Sequence, residues 1–324
     1  MRKIDFFAGE EHFFDHISPI WRELPEHLKG TFYVRKRVEE KRAKASGIPY
    51  VVAEPTNSEL CLVASIGDYR ATTKDVVFME HGIGHQYSNN NAGYAGGAGK
   101  DRAILFLNQH HITDERNLKT YPNVPHAIIG TPKMDKVKRT GWTVHNRKPV
   151  VCMSFHWDCK VSPETRSSYP FYKKMIPILY KLKNDFEFVL HAHPKNGFQD
   201  QVKHDFPEIR FIDKFEDVMK IADVYVIDNS STMYEFLVTG KPIVVLNCPY
   251  YRFDVNHGIR FWDYIGGMQV NRTKDLIPTI LDTIAFPTQL QDLRDEIVSE
   301  LYPYYPNATE RAVTVLTEFL EGRE

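Results

Sequence analysis

The chain has 324 residues, 42% of them hydrophobic and 26% charged, enough to bury two cores and too long for one average domain. A formal net charge of −1 and a pI near 6.9 speak against a general nucleic-acid binder, which would carry a basic balance. Apolar runs such as Val224–Ile227 and Ile243–Leu246 fall far short of the roughly 20 residues that span a bilayer.

In chain order, Ile4–Ala8, Thr31–Val34, Tyr50–Val52, Leu60–Ala64 and Val76–Met79 read as strands, being short, apolar and bounded by turn or helix signals. His12–Leu28 and Lys36–Ser46 read as helices between them. The scheme repeats with strands at Val150–Phe155, Phe186–His191, Ile209–Ile212, Val224–Ile227 and Ile243–Leu246. The helices of this half are Tyr169–Lys183, Phe215–Ala222 and Ser231–Thr239. Such alternation implies parallel sheets covered on both faces, hence an α/β protein of two doubly wound, Rossmann-type domains facing a central cleft. The polar, Pro-containing segment Gly141–Pro149 is the expected boundary. It gives a first domain over 1–141, a second over 149–300, and a terminal segment 301–324. In that segment Asn307–Gly322 reads as a helix capped by Asn307. By analogy with folds of this kind, it is expected to pack back on the first domain. The glycine- and asparagine-rich stretch Ser88–Lys100 reads as a mobile loop.

Four segments carry chemistry. In Val224–Leu246 a buried strand ends at Asp228, a turn follows, and a helix begins near Ser230 or Ser231. Gly240 stops that helix, and a new strand starts after Pro242. Asp228, Ser230, Ser231 and Thr232 thus surround a helix start at the carboxyl end of a parallel strand, where backbone N–H groups and the helix dipole attract an anion such as a diphosphate. Simple helix capping by Asn229, Ser230 and Ser231 is an equal reading. Glu235 lies one turn beyond Ser231 and suits ribose hydroxyls, or else solvent.

His191 and His193 lie two apart on a strand that Pro194 ends, so they share a face. A metal reading lacks a third and fourth ligand. A phosphate-binding or proton-donating His193, with Lys195 beside it, is the better functional reading. His81 follows another strand and is succeeded by Gly82, Gly84 and His85. An imidazole at a strand end suits a general base that takes a proton from an acceptor hydroxyl, and Gly82 and Gly84 let the backbone approach that acceptor closely. The Ser88–Lys100 loop follows directly and has a closing role in this scheme. It is no P-loop, because Gly93 to Gly99 is one residue too long and Asp101 follows Lys100. Ser154, His156 and Asp158 end the first strand of the second domain, and His156 is a further donor-side candidate.

No Asp-x-Asp pair and no Gly-x-Ser-x-Gly elbow are present in the sequence. The donor diphosphate is therefore expected to be met by helix dipole, hydroxyls and imidazoles, with no metal and no cofactor beyond the activated substrate itself. Cys61, Cys152, Cys159 and Cys248 are scattered and read as buried thiols of a reducing compartment. The amino terminus has no secretory apolar region, so the expected location is the cytoplasm.

Together these segments resemble the CDP-glycerol glycerophosphotransferase family of teichoic-acid polymerases and primases, proteins of GT-B fold. The matching pieces stand in the family's order: His81-Gly82, Ser154 to Asp158, His191 to Pro194, Asp228 to Ser231, then Gly240, Lys241 and Pro242. They cover about Val76 to Leu246. The resemblance implies that His81 is the catalytic base, that His193 is a second essential histidine near the donor phosphates, and that Ser230 and Ser231 hold the diphosphate. The chain departs from the family pattern with Ile83, Gly84 and His85 after the His-Gly pair, and with Ala192 before His193. The leading reading is a transferase that moves a glycosyl or glycerophosphoryl group from a nucleotide-diphosphate donor to the hydroxyl of a glycan or polyol phosphate. A nucleotide-sugar epimerase is the nearest other enzyme. A non-catalytic nucleotide- or glycan-binding module is the second class. A glycosyltransferase acting on nucleic-acid bases is a third reading, kept alive by the basic runs Arg35–Arg42 and Lys136–Arg139.

Overall fold

Short apolar runs separated by longer polar stretches fold into two all-parallel sheets. The computed structural model describes residues 2–72, 74–79, 81–83, 102–143, 146–160, 163–253 and 264–322. Gly84, His85 and the Ser88–Lys100 segment lie outside these. The chain divides into one unit of residues 1–136 with 299–324 and a second of residues 137–298, so the division falls just before the expected Gly141 boundary. Among the described residues no helix is long and apolar enough to cross a membrane.

The first unit is built on β1 (Ile4–Ala8), β2 (Lys29–Val34), β3 (Val51–Val52), β4 (Leu60–Val63), β5 (Asp75–Met79), β6 (Ala103–Asn108) and β7 (His126–Ile128), in the order β3-β2-β1-β4-β5-β6-β7. The order reverses between β1 and β4, and the carboxyl ends of strands flanking such a reversal form the natural ligand crevice of an open α/β sheet. The helix Glu11–Glu23 buries Phe13, Phe14, Ile17, Ile20 and Trp21 against Phe6 and Phe32 of β1 and β2. It ends earlier than the expected Leu28, because Leu24 precedes Pro25 and is pushed to extended backbone. The expected helix Lys36–Ser46 contains a π-helical stretch, Glu39–Ala43, between two short α segments.

The terminal helix spans Ala308–Glu321 and packs Ala312, Val315, Leu316 and Leu320 into the first unit's core. Its cap corrects the sequence expectation. The Asn307 side chain makes no capping bond. The carboxylate of Asp135 instead accepts the N–H groups of Ala308 and Thr309 at 3.0 and 2.7 Å. A cap supplied from 173 residues away is invisible to a local pattern.

The second unit has β8 (Val150–Phe155), β9 (Glu187–Ala192), β10 (Val224–Ile227), β11 (Ile243–Leu246) and β12 (Met268–Val270), ordered β12-β11-β10-β8-β9. This is the flavodoxin-like order, with its reversal between β8 and β10. Two sequence expectations are corrected here. Ile209–Ile212 is no strand; only Phe211 bridges to Leu190. Tyr169–Lys183 is not one helix but Tyr169–Tyr172, a 3-10 turn at Lys173–Met175, and Ile176–Tyr180. Pro177 has no N–H to give the preceding turn, so the ladder breaks there.

The Gly240, Lys241, Pro242 corner has a structural explanation. Gly240 sits at φ +77°, and a Cβ there would lie 3.2 Å from the Cα of Gly141. The buried Lys241 Nζ donates to the carbonyls of Met219, Lys220 and Ala222 at 3.1, 3.3 and 2.8 Å. A cation thus closes the carboxyl end of the helix Phe215–Ile221, where the helix dipole favours positive charge.

Candidate functional site

In the second unit the reversal brings together the ends of β8 and β10, with β9 beside β8. Asp228 follows β10 and is 2% exposed. Its Oδ1 accepts the His156 N–H at 2.8 Å, and its Oδ2 accepts the Ser168 N–H at 2.9 Å. The carboxylate thus accepts from backbone that follows β8. Burial raises it to about 6, even though these N–H groups pull the other way. Asp228 ties the segments after β8 to the end of β10.

That clip places His156. Its ring Nδ1 donates to the Thr165 carbonyl at 3.2 Å, so neutral His156 offers Nε2 only as an acceptor. Only in the protonated ring does Nε2 become a donor. The His193 ring stands 5.1 Å from that of His156, edge to face. The Lys195 backbone N–H donates to His193 Nδ1 at 3.1 Å. An accepting Nδ1 carries no proton, so His193 bears it on Nε2 and is a hydrogen-bond donor. The Lys195 ammonium lies 4.8 Å from the Trp157 ring centroid, on an exposed stretch. His191 has a different character. It is buried, paired with Ser154 Oγ at 2.7 Å, and burial lowers it to about 4, so it stays neutral and serves the core.

At the start of the helix Thr232–Leu237 the hydroxyls divide their work. Ser230 Oγ accepts the Thr232 N–H at 3.3 Å and the Thr232 hydroxyl at 3.0 Å, and Tyr225 OH meets that hydroxyl at 3.0 Å. Ser230 and Thr232 are thus partly spent on shaping the turn. Ser231 is the N-cap residue, yet its side chain makes no capping bond. Glu235 is buried, which rules out its reading as a solvated carboxylate.

In the first unit His81 follows β5 and is 5% exposed. Its Nδ1 lies 2.5 Å from the Ala64 carbonyl. A carbonyl can only accept, so Nδ1 holds the proton and Nε2 is the basic nitrogen. Gly82 sits at φ +75°, a conformation that favours glycine. The sequence did not point to the surroundings of His81. Phe13, His12 and His16, all on the helix after β1, place their ring centroids 4.3, 5.1 and 6.2 Å from that of His81. Their signal was the run of aromatic and imidazole rings directly after the strand at the reversal. The first unit also repeats the carboxylate clip. Asp68 follows β4, is buried, accepts the Gly9 N–H at 2.9 Å, and is raised to about 7 by burial. Among the described residues no group of three or more His, Cys, Asp or Glu side chains is placed to hold a metal ion.

Comparison with known proteins places this architecture. Residues 164–313 match the family model described as CDP-Glycerol:Poly(glycerophosphate) glycerophosphotransferase. The resemblance read from the motifs is shown by this match, which supports a transferase. The matched span begins after His81 and after the Ser154–Asp158 segment, so it differs from the Val76–Leu246 span of the motifs. The fold is GT-B-like. A variant of the wall teichoic acid polymerase TagF matches with a TM-score of 0.68 and 14% identity, over 99% of this chain and 89% of that one. The MnaA–UDP structure from S. aureus matches at 0.69 and 15%, over 99% and 97%. The UDP-GlcNAc 2-epimerase of Neisseria meningitidis, bound to UDP-GlcNAc, matches at 0.67 and 12%, over 98% and 100%. No curated protein matches the chain at a significant level.

Proposed function

We propose that the chain transfers a glycosyl or glycerophosphoryl group from a nucleotide-diphosphate donor to an acceptor hydroxyl, with His81 as general base. The observation that carries this reading is the opposite tautomers of the two histidines. His81 offers a basic Nε2 behind a carbonyl-bound Nδ1, and His193 offers an Nε2–H behind an accepting Nδ1. One is dressed to take a proton from a hydroxyl, the other to give a hydrogen bond to a phosphate oxygen. Ser231, Lys195 and protonated His156 add to the donor side, and Glu235 takes the ribose hydroxyls. The diphosphate is neutralised by these groups and by backbone N–H at the helix start, without a bound metal. The family description favours CDP-glycerol as donor and a polyol phosphate as acceptor. TagF soaked with CDPG is a neighbour of the same fold.

A general base contributes about 10²–10⁴-fold to rate, so His81→Ala is expected to lower turnover by that order with nucleotide affinity retained. His193→Ala removes a hydrogen bond to an anion, worth about 1.5–3 kcal/mol, so affinity is expected to fall at least about tenfold. Titration calorimetry with CDP-glycerol on both variants checks the assignment, and equal losses in the two would refute it. The epimerase neighbours raise a second reading, which a single nucleotide sugar incubated without acceptor tests through its product.

A further inference from the structure

We propose that Tyr225 is a positioning residue of the donor site: its buried phenol gives a hydrogen bond to Thr232, Thr232 gives one to Ser230, and the Ser230 hydroxyl is left able only to donate. The inference rests on the reading of this turn as part of the donor site and brings in a residue outside the motifs. It narrows the atom bound at Ser230 to one that only accepts, as an ionised phosphate oxygen does.

The geometry starts from the core. Tyr225 lies on β10 and is fully buried. Its ring stacks on Phe236 with centroids 4.9 Å apart, and Phe215 stands at 5.6 Å. Burial raises the phenol, so it keeps its proton at neutral pH. A hydroxyl has one proton to give and two lone pairs that accept. Thr232 Oγ1 spends its proton on Ser230 Oγ at 3.0 Å. Its contact with Tyr225 OH, also 3.0 Å, is therefore one in which the phenol donates. Ser154, the phenol's other hydrogen-bonding neighbour, then meets its lone pairs. Ser230 Oγ receives the Thr232 hydroxyl and, at 3.3 Å, the Thr232 N–H. Both lone pairs are engaged, and only the Ser230 proton remains. Among the described residues no acceptor takes it. Ser230 follows the carboxyl end of β10, beside the reversal of the sheet, so that proton is kept for what enters the crevice. A ligand hydroxyl seeking to donate here would meet filled lone pairs. Because packed rings hold the phenol in place, little is left to order when an anion binds.

Titration calorimetry with CDP-glycerol on the full chain tests the chain of hydroxyls, with urea unfolding to show that each variant is folded. Ser230→Ala is expected to weaken binding at least about tenfold, and Tyr225→Phe and Thr232→Val each about three- to tenfold. The losses are not expected to add: on the Ser230→Ala background, Tyr225→Phe costs less than about twofold more. Thr232→Ser, which restores the hydroxyl, is expected to recover most of the affinity that Thr232→Val loses. A packing role for Thr232 gives the reverse, because valine keeps the branched shape and serine does not. Additive losses, recovery by valine but not by serine, or wild-type affinity in Tyr225→Phe overturns the chain of hydroxyls while Ser230 stays a donor-site residue. Wild-type affinity in Ser230→Ala, or no binding of CDP-glycerol at all, overturns the donor-site reading and this inference with it, so the two failures are distinguishable.

Discussion

Replacing Asp228 by asparagine separates two opposing forces at the reversal of the second sheet. The wild-type carboxylate accepts the His156 and Ser168 N–H groups and approaches Ser167 Oγ at 3.4 Å, yet burial raises it from 3.8 to about 6. A carboxyl raised in the folded state stabilises that state most when protonated, so its contribution is fully present below the unfolded value and is lost as pH climbs through about 6. A tenfold change in proton affinity corresponds to about 1.4 kcal/mol, so the whole window spans roughly 3 kcal/mol, of which about 2 falls between pH ~4.5 and ~7.5. Asparagine has no such titration. Its single carbonyl oxygen leaves one of the two backbone N–H groups without its acceptor, at a cost of about 1–3 kcal/mol at any pH. Asp228→Asn is therefore expected to be clearly destabilising at low pH and close to wild type at neutral pH. Urea unfolding at the two pH values, compared with wild type, reads the difference. A destabilisation that is equal at both, or larger at the higher pH, would refute the argument that burial outweighs the N–H groups.

Two further outcomes follow from the same structure. Lys241→Met removes the donor shared by three buried carbonyls and is expected to cost about 2–3 kcal/mol in thermal or urea unfolding while nucleotide affinity stays put. A tenfold loss of affinity without a loss of stability would instead make Lys241 a phosphate ligand. Dialysis against a chelator is expected to leave turnover unchanged, because imidazoles, Ser231 and backbone N–H are assigned the diphosphate; activity lost and then restored by one divalent ion would overturn that assignment.

Much of the frame was legible. The strands Ile4–Ala8, Val150–Phe155, Val224–Ile227 and Ile243–Leu246 appear at the residues that hydrophobic runs and turn signals mark, because buried parallel strands are short, nearly continuous apolar segments. Other strands escaped, among them β6, although its Ile104–Leu107 run is apolar. β7 is half-buried along its length, and β12 has one buried residue in three, so neither shows a clean apolar run. The helix Phe198–Asp205 and the helix Gln291–Leu301 were missed for the same reason, being polar over most of their length. Of the candidate site, the histidines and hydroxyls were found as residue types placed at strand ends. Their division of labour was not. That Asp228 would turn inward to hold His156, that Ser230 would be spent on Thr232, and that His12 would meet His81 depend on which atoms the folded chain brings within hydrogen-bond or ring contact.

By itself, the sequence determined the alternation of strand and helix, the parallel character of both sheets, and the appearance of His81, His193 and Ser231 at strand ends or at a helix start. These follow from local periodicity and from where turns interrupt it. Only the tertiary structure decided the order of the strands and the two reversals. It also decided the cap that Asp135 lends to the terminal helix, the closure of a helix end by Lys241, and the proton positions on the two histidines. Most of these depend on a partner distant in sequence, such as Ala64 for His81 or Met219 and Ala222 for Lys241, whereas the His193 tautomer is set by the Lys195 N–H two residues on. A backbone carbonyl is present in every residue, so nothing in the order of residues distinguishes the one that will fix a tautomer.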